Sequence, residues 1–299
     1  MEIGIIGLGK MGYGMACNMK DHGYTVFGFD TDPQSTVRAN EYGIKSCHEI
    51  EGFINFFTDR KILFLFIPSG AIIDDMIETL RKYLHKGDII VDAGNSHYKD
   101  SIRRYEALKA QGISFLDCGT SGGPSGARNG ACTMIGGDKE IYERLKKLFD
   151  DVSVENGSLY TGARGSGHFV KMVHNAIEYG MMQSIAEGYE LMHKANFDLD
   201  LQKISDLWNN GSVIRSWLIE LAGSALSKNP DMSGIKGVVN ASGECKWAVE
   251  TALDLQVPVP VFALSLMIRN RSLETDTFSA KLLSLLRNEF GGHDVICDS

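Results

Sequence analysis

The run Gly7-Leu8-Gly9-Lys10-Met11-Gly12 constrains the fold of this chain more than any other stretch. It follows the apolar segment Ile3–Ile6 and opens a stretch from Met11 to His22 that places Met11, Met15 and Met19 on one helical face. A glycine turn between strand and helix lets the backbone approach a pyrophosphate closely. The helix N-terminus then adds N–H groups and partial positive charge. Gly7, Leu8, Gly9, Lys10, Met11 and Gly12 are therefore the candidates for holding a dinucleotide; a plain tight turn is the bland alternative. Asp30 ends the next strand-like run, Tyr24 to Phe29, 18 residues past Gly12. A carboxylate there accepts a ribose 2′-hydroxyl and repels a 2′-phosphate. No Arg or Lys lies between Asp30 and Arg38, which favours NAD and leaves NADP as the second choice.

Strand-like and helix-like patterns continue to alternate. Lys61 to Ile67 is nearly all apolar, as in a parallel strand covered on both faces. Asp88–Asp92, Ser114–Cys118 and Cys132–Ile135 read as further strands, and Asp74–Leu84, Tyr98–Ala110 and Glu140–Phe149 as helices. Beyond about residue 165 the pattern is helical only, with Ile214 to Leu226 among the segments. The expectation is an α/β Rossmann-type, doubly wound parallel sheet over residues 1–165, forming a dinucleotide-binding domain. A smaller all-α domain over 166–299 would serve substrate binding and dimerisation.

With 30 Lys+Arg against 38 Asp+Glu and no basic run, the chain lacks the electrostatic footprint of a nucleic-acid binder. No apolar run approaches the roughly 20 residues of a membrane span. No secretory signal is visible, and the six cysteines are scattered without a C-x-x-C pair, so a reducing, cytoplasmic setting is expected. No Cys/His cluster suggests a metal.

Three further segments carry chemistry. Asp92-Ala93-Gly94-Asn95-Ser96-His97 lies at the C-terminal end of a strand, where open α/β sheets bind ligands, and Asn95 can donate and accept hydrogen bonds. Ser121-Gly122-Gly123 offers a hydroxyl and backbone N–H groups suited to a carboxylate, with a flexible loop as the alternative. In Gly167–Tyr179, the residues Lys171, His174, Asn175 and Glu178 fall at i, i+3, i+4 and i+7, with Tyr179 adjacent. Val170, Val173, Ile177 and Met181 occupy other faces, so the helix reads as buried nearly all round with one polar stripe lining a cavity. A desolvated lysine can act as general base on a hydroxyl, and Glu178, about 10 Å further along the axis, is a second acid. Arg215 interrupts an apolar segment, and Arg287 to His293 reads RNEFGGH. The side-chain charges of Lys10, Lys246 and Arg128 are open between a ligand and the surface.

In order, G-L-G-x-M-G, D-x-G-N-S, S-G-G-x-x-G-A and G-H-F-V-K-M-V-H-N-x-I-E-Y-G resemble the decarboxylating 6-phosphogluconate dehydrogenases, in their short form. The wider relatives are the β-hydroxyacid dehydrogenases. The resemblance implies that Lys171 and Glu178 are catalytic. It implies that Asn95, His174 and Asn175 hold substrate hydroxyls, with Asn95 also near the cofactor, and that Ser121, Gly122 and Gly123 hold the substrate carboxylate. Tyr179, Arg215 and Arg287 would hold the phosphate, with His293 nearby. It further implies a homodimer in which the C-terminal Arg and His serve the other subunit. The long form carries Q-K-G-T-G-K-W where this chain reads Ala241-Ser242-Gly243-Glu244-Cys245-Lys246-Trp247, so the phosphate-binding lysine is replaced by Ser242. A non-decarboxylating β-hydroxyacid dehydrogenase would need Lys171 and Asn175 but neither Glu178 and Tyr179 nor the C-terminal tail. A silent NAD-binding sensor or scaffold would keep the glycines and Asp30 with no reason to keep Lys171.

Overall fold

In the computed structural model, which describes residues 1–297, strands and helices alternate through the first half. They are β1 (Glu2–Ile6), α1 (Lys10–Asp21), β2 (Thr25–Phe29), α2 (Pro33–Glu41), β3 (Lys45–Cys47), α3 (Ile50–Ile54), β4 (Ile62–Leu65), α4 (Ala71–Arg81), β5 (Ile89–Asp92), α5 (Tyr98–Lys109), β6 (Ser114–Ser121), α6 (Gly123–Asn129), β7 (Ala131–Gly137), α7 (Lys139–Val152) and β8 (Ser153–Gly162). Helices alone follow: α8 (Ser166–Lys194), α9 (Leu201–Asn209), α10 (Trp217–Lys228), α11 (Gly243–Asp254), α12 (Pro260–Arg271) and α13 (Phe278–Gly291). The chain forms two compact units, Met1–Asn175 and one beginning at Ala176.

The sheet runs β3-β2-β1-β4-β5-β6-β7-β8. Its order reverses between β1 and β4, and that switch point opens the crevice in which such sheets take ligands. Alternation along each inner strand feeds two cores. Ile3, Ile5, Ile62, Phe64, Ile89 and Val91 pack on one face with Met15 and Met19 of α1 and Leu145 and Phe149 of α7. Ile6, Leu63, Leu65 and Ile90 pack on the other with Phe53 of α3, Ile77 and Leu80 of α4 and Tyr105 of α5. Burial on both faces explains the unbroken apolar run at 62–65.

Two expectations need correction. The sheet is not parallel throughout, because β7 runs antiparallel to β6, pairing Thr120 with Thr133 and Gly119 with Met134. The short α6 turns the chain straight back instead of crossing over the sheet. The helix expected from Ile214 starts only at Trp217, where the Ser216 hydroxyl accepts the Ile219 N–H as N-cap. Arg215 therefore precedes the helix. Helix α2 starts where Asp32 caps it, accepting the N–H groups of Gln34 and Ser35, with Pro33 in the first turn.

Candidate active site

The glycine loop has the geometry expected of a dinucleotide cradle. Gly7 takes φ +92°, and a Cβ on Gly12 would lie 1.8 Å from the Gly7 carbonyl oxygen, so neither position accepts a side chain. A Cβ on Gly9 would meet nothing within 4 Å, which leaves the outer side of the turn open. Gly9 is the N-cap of α1 and no side chain caps that helix, so the first-turn N–H groups of Lys10 and Met11 carry no side-chain cap. Asp30 closes one end. Its Oδ2 accepts the Leu8 N–H at 2.6 Å and its Oδ1 accepts the Asp32 N–H at 2.9 Å.

The Asn95 loop is fixed from below. Asp92, fully buried at the end of β5, accepts the Ser96 hydroxyl at 2.7 Å and the Gly94 N–H at 3.2 Å. Arg104, 2% exposed, donates to Ser96 Oγ at 3.1 Å, to Asp92 at 3.4 Å and to both oxygens of Asp74. Asn95 itself is exposed at the tip of this braced loop. The Arg104 guanidinium beside Asp74 holds that carboxyl well down, at about 2 against the ordinary 3.8.

Helix α8 enters at the antiparallel pair β6–β7. The buried Asp117 of β6 accepts the Gly165 N–H at 2.7 Å and the His168 N–H at 2.9 Å, which places a carboxylate at the positive end of the helix. His168, 1% exposed, meets Ser101 of α5 at 2.7 Å through Nδ1. One turn later Lys171 lies against Gly119, where any Cβ would fall 2.4 Å from the lysine Cβ. Lys171, at 7% exposure, reaches His174 Nδ1 at 3.5 Å. That same Nδ1 lies 3.0 Å from Asn175 Oδ1, and His174 Nε2 lies 3.2 Å from Ser121 Oγ. Nδ1 either donates to Asn175 or accepts from Lys171, so the imidazole tautomer is coupled to the lysine proton. Gly122 and Gly123, next to Ser121, both take positive φ, 114° and 61°.

Of the stripe, Lys171 and Asn175 are buried and His174 and Glu178 half-buried, and the expectation of a helix buried nearly all round needs correction on its apolar faces. Val170, Ile177 and Met181 are 38%, 47% and 42% exposed. Lys171 of the stripe packs against Gly119 and His174 meets Ser121.

In the second unit, Glu178 and Tyr179 follow on the same helix. The buried Tyr179 hydroxyl accepts the Ser242 N–H at 3.0 Å and lies 3.1 Å from Ser242 Oγ, at the N-cap of α11. Arg269 of α12 stacks on the Tyr179 ring at 3.4 Å from its centroid. Sequence reading missed Arg269, and equally Asp117, Arg104 and Asp74. Its only local signal is its place in the last turn of a largely apolar α12, which Arg271 shares. Arg215 lines a cavity of about 630 Å³ with Ile177, Gly180, Ser184 and Val261. Arg287 and His293 are exposed at the end of α13, a helix with no buried residue. Among the described residues, no group of three His, Cys, Asp or Glu is placed to hold a metal ion, and no helix is long and apolar enough to cross a membrane.

Residues 2–162 match the family model for the NAD binding domain of 6-phosphogluconate dehydrogenase, and residues 167–294 match that for the 6-phosphogluconate dehydrogenase C-terminal domain. The chain is 50% identical over 293 residues to YqeC of Bacillus subtilis (strain 168), itself assigned to 6-phosphogluconate dehydrogenase only provisionally, with 98% of each chain covered. It is 39% identical over 297 residues to the NAD(+)-dependent, decarboxylating 6-phosphogluconate dehydrogenase of Haloferax volcanii, covering 99% of this chain and 98% of that one. Among solved structures, the Plasmodium falciparum 6-phosphogluconate dehydrogenase superposes with a TM-score of 0.83 at 32% identity, over 100% of this chain and 66% of that one.

Proposed function

The chain belongs to the 6-phosphogluconate dehydrogenase family, and on that premise we propose that it converts 6-phospho-D-gluconate to ribulose 5-phosphate and CO2, with NAD+ preferred over NADP+. The carrying observation is Lys171, buried and seated against Gly119, within reach of His174 and followed on one helix by Glu178. The dinucleotide is held by the 7–12 loop, with Asp30 at the ribose, and it supplies a hydride acceptor when bound.

Lys171, as the neutral amine, takes the proton of the substrate C3 hydroxyl while the C3 hydrogen leaves as hydride. Its ammonium then returns that proton to the C3 carbonyl oxygen as the C1–C2 bond breaks and CO2 departs. Glu178 protonates the carbon that carried the carboxylate while the neutral Lys171 takes the enol proton back from the C3 oxygen, completing ribulose 5-phosphate. Asn95, His174 and Asn175 orient hydroxyls, and Ser121, Gly122 and Gly123 hold the carboxylate. Tyr179 holds the phosphate with Arg215, and Arg269, stacked on Tyr179, is added to that set by its position.

The uncovered apolar faces support a homodimer. Phe278, Leu283, Leu286 and Phe290 are 80%, 62%, 50% and 79% exposed on α13, the helix that carries Arg287. Arg287 and His293 then act in the other subunit's phosphate site. Light scattering on the purified protein measures this mass directly.

The deciding assay gives the purified protein 6-phosphogluconate with NAD+ or NADP+ and follows reduced cofactor and CO2 together. Matched production, abolished in Lys171→Met with cofactor binding retained, is the expected result. Reduction without CO2 would reassign the chain to a non-decarboxylating hydroxyacid dehydrogenase, and no reduction with either cofactor would overturn the substrate.

A further inference from the structure

We propose that Arg38 is a specificity-determining residue of the cofactor groove, supplying the counter-charge that admits a 2′-phosphorylated dinucleotide despite Asp30. The inference rests on the dinucleotide reading above. Asp30 and Arg38 hold opposite ends of one residue. The Leu8 N–H donates to Asp30 Oδ2 at 2.6 Å, and the Leu8 carbonyl accepts from Arg38 Nη2 at 2.6 Å. Carboxylate and guanidinium are thus bridged through Leu8, in the loop that on this reading approaches the adenosine half of the cofactor. One face of the guanidinium packs on the Tyr13 ring at 4.0 Å, while the residue as a whole is exposed. Packing on Tyr13 fixes the plane of the guanidinium, which has further N–H groups besides the one on Leu8.

The Arg38 charge also bears on Tyr13 and Cys17 of α1 and on Asp32 at the cap of α2. Asp32 already spends both oxygens on the N–H groups of Gln34 and Ser35 and the Ser35 hydroxyl. A ribose 2′-hydroxyl is served by Asp30 alone, whereas a 2′-phosphate is repelled by Asp30 and attracted by Arg38. Discrimination against NADP+ is therefore partial, and its size is set by Arg38.

Calorimetric titration of the substrate-free protein with NAD+ and with NADP+ tests this without turnover. Arg38→Gln is expected to weaken NADP+ binding about tenfold, the loss of one charge-assisted hydrogen bond, while NAD+ changes less than about twofold. Arg38→Lys, which keeps the charge, retains most of the NADP+ affinity and guards against a loop that has merely loosened. Equal weakening of both cofactors would make Arg38 a platform for the shared adenine and overturn the proposal, as would no change in either. Failure of the unaltered protein to bind NAD+ would instead remove the dinucleotide reading itself.

Discussion

Gly119 and Lys171 touch so closely that the strand backbone takes the place a side chain would occupy: a Cβ on Gly119 would sit 2.4 Å from the lysine Cβ and 2.9 Å from the Gly167 carbonyl. Gly119→Ala must therefore push α8 away from β6. Overpacking of this kind costs about 1–3 kcal/mol, and a displacement of about 1 Å at a catalytic group can cost roughly 100-fold in rate. The expected variant is folded, with a lowered melting temperature and kcat reduced by about two orders of magnitude, while NAD+ affinity measured by titration is unchanged.

Asp117 fixes the start of the same helix through the Gly165 and His168 N–H groups. Asn at this position keeps one carbonyl acceptor but turns an amide donor toward the other N–H. Loss of one hydrogen bond to a buried charge is worth about 1.5–3 kcal/mol. Asp117→Asn should lower the urea midpoint accordingly and reduce kcat more than it raises KM. An unchanged midpoint would remove Asp117 from the positioning of Lys171.

The Asp74–Arg104 pair gives a pH dependence with a definite sign. Hydrogen bonding from Arg104 lowers the Asp74 carboxyl to about 2, below the 3.8 of an ordinary aspartate. A depressed carboxylate contributes stability that is fully present above the unfolded value and lost as pH falls from about 4 toward about 2. The side chain is 34% exposed, so screening limits the contribution to roughly 1–2 kcal/mol. Urea unfolding at pH 6, 4 and 3 should show Asp74→Asn less stable at pH 6 and converging on the unaltered protein at pH 3. Parallel curves would exclude the pair as the source.

Arg269 stacks on the ring of Tyr179, to which the proposed function gives the substrate phosphate. Arg269→Met should raise KM for 6-phosphogluconate roughly 10- to 100-fold, the worth of a charge-assisted hydrogen bond, with NAD+ binding unaltered. Arg269→Lys should recover only part of that, because an ammonium does not stack in a plane on the ring. A KM that stays within twofold would place the phosphate elsewhere.

Local features were legible in the sequence because their geometry is local. The glycine loop needs six consecutive residues, and the stripe from Lys171 to Glu178 follows from helical periodicity alone. Asp30, too, is placed by its distance along a single strand–helix–strand unit. The antiparallel turn of β7 was not legible, since a strand's direction is set by the length and path of the connection before it.

The sequence by itself determined an alternating sheet with a dinucleotide loop, a helical half, and a polar helix face carrying a lysine and a glutamate. Only the tertiary structure decided which groups brace them. Asp117 meets a helix 48 and 51 positions away, Arg104 draws Asp74 and Asp92 from two other segments, and Arg269 reaches Tyr179 from a different helix. Buried charges must find partners wherever the packed elements bring them, and a partner chosen by strand order and helix packing leaves no periodic trace along the chain. The same holds for the outward apolar face of Val170, Ile177 and Met181. Hydrophobic periodicity says that a surface is to be buried, and only the packed structure says that these three side chains stay partly exposed.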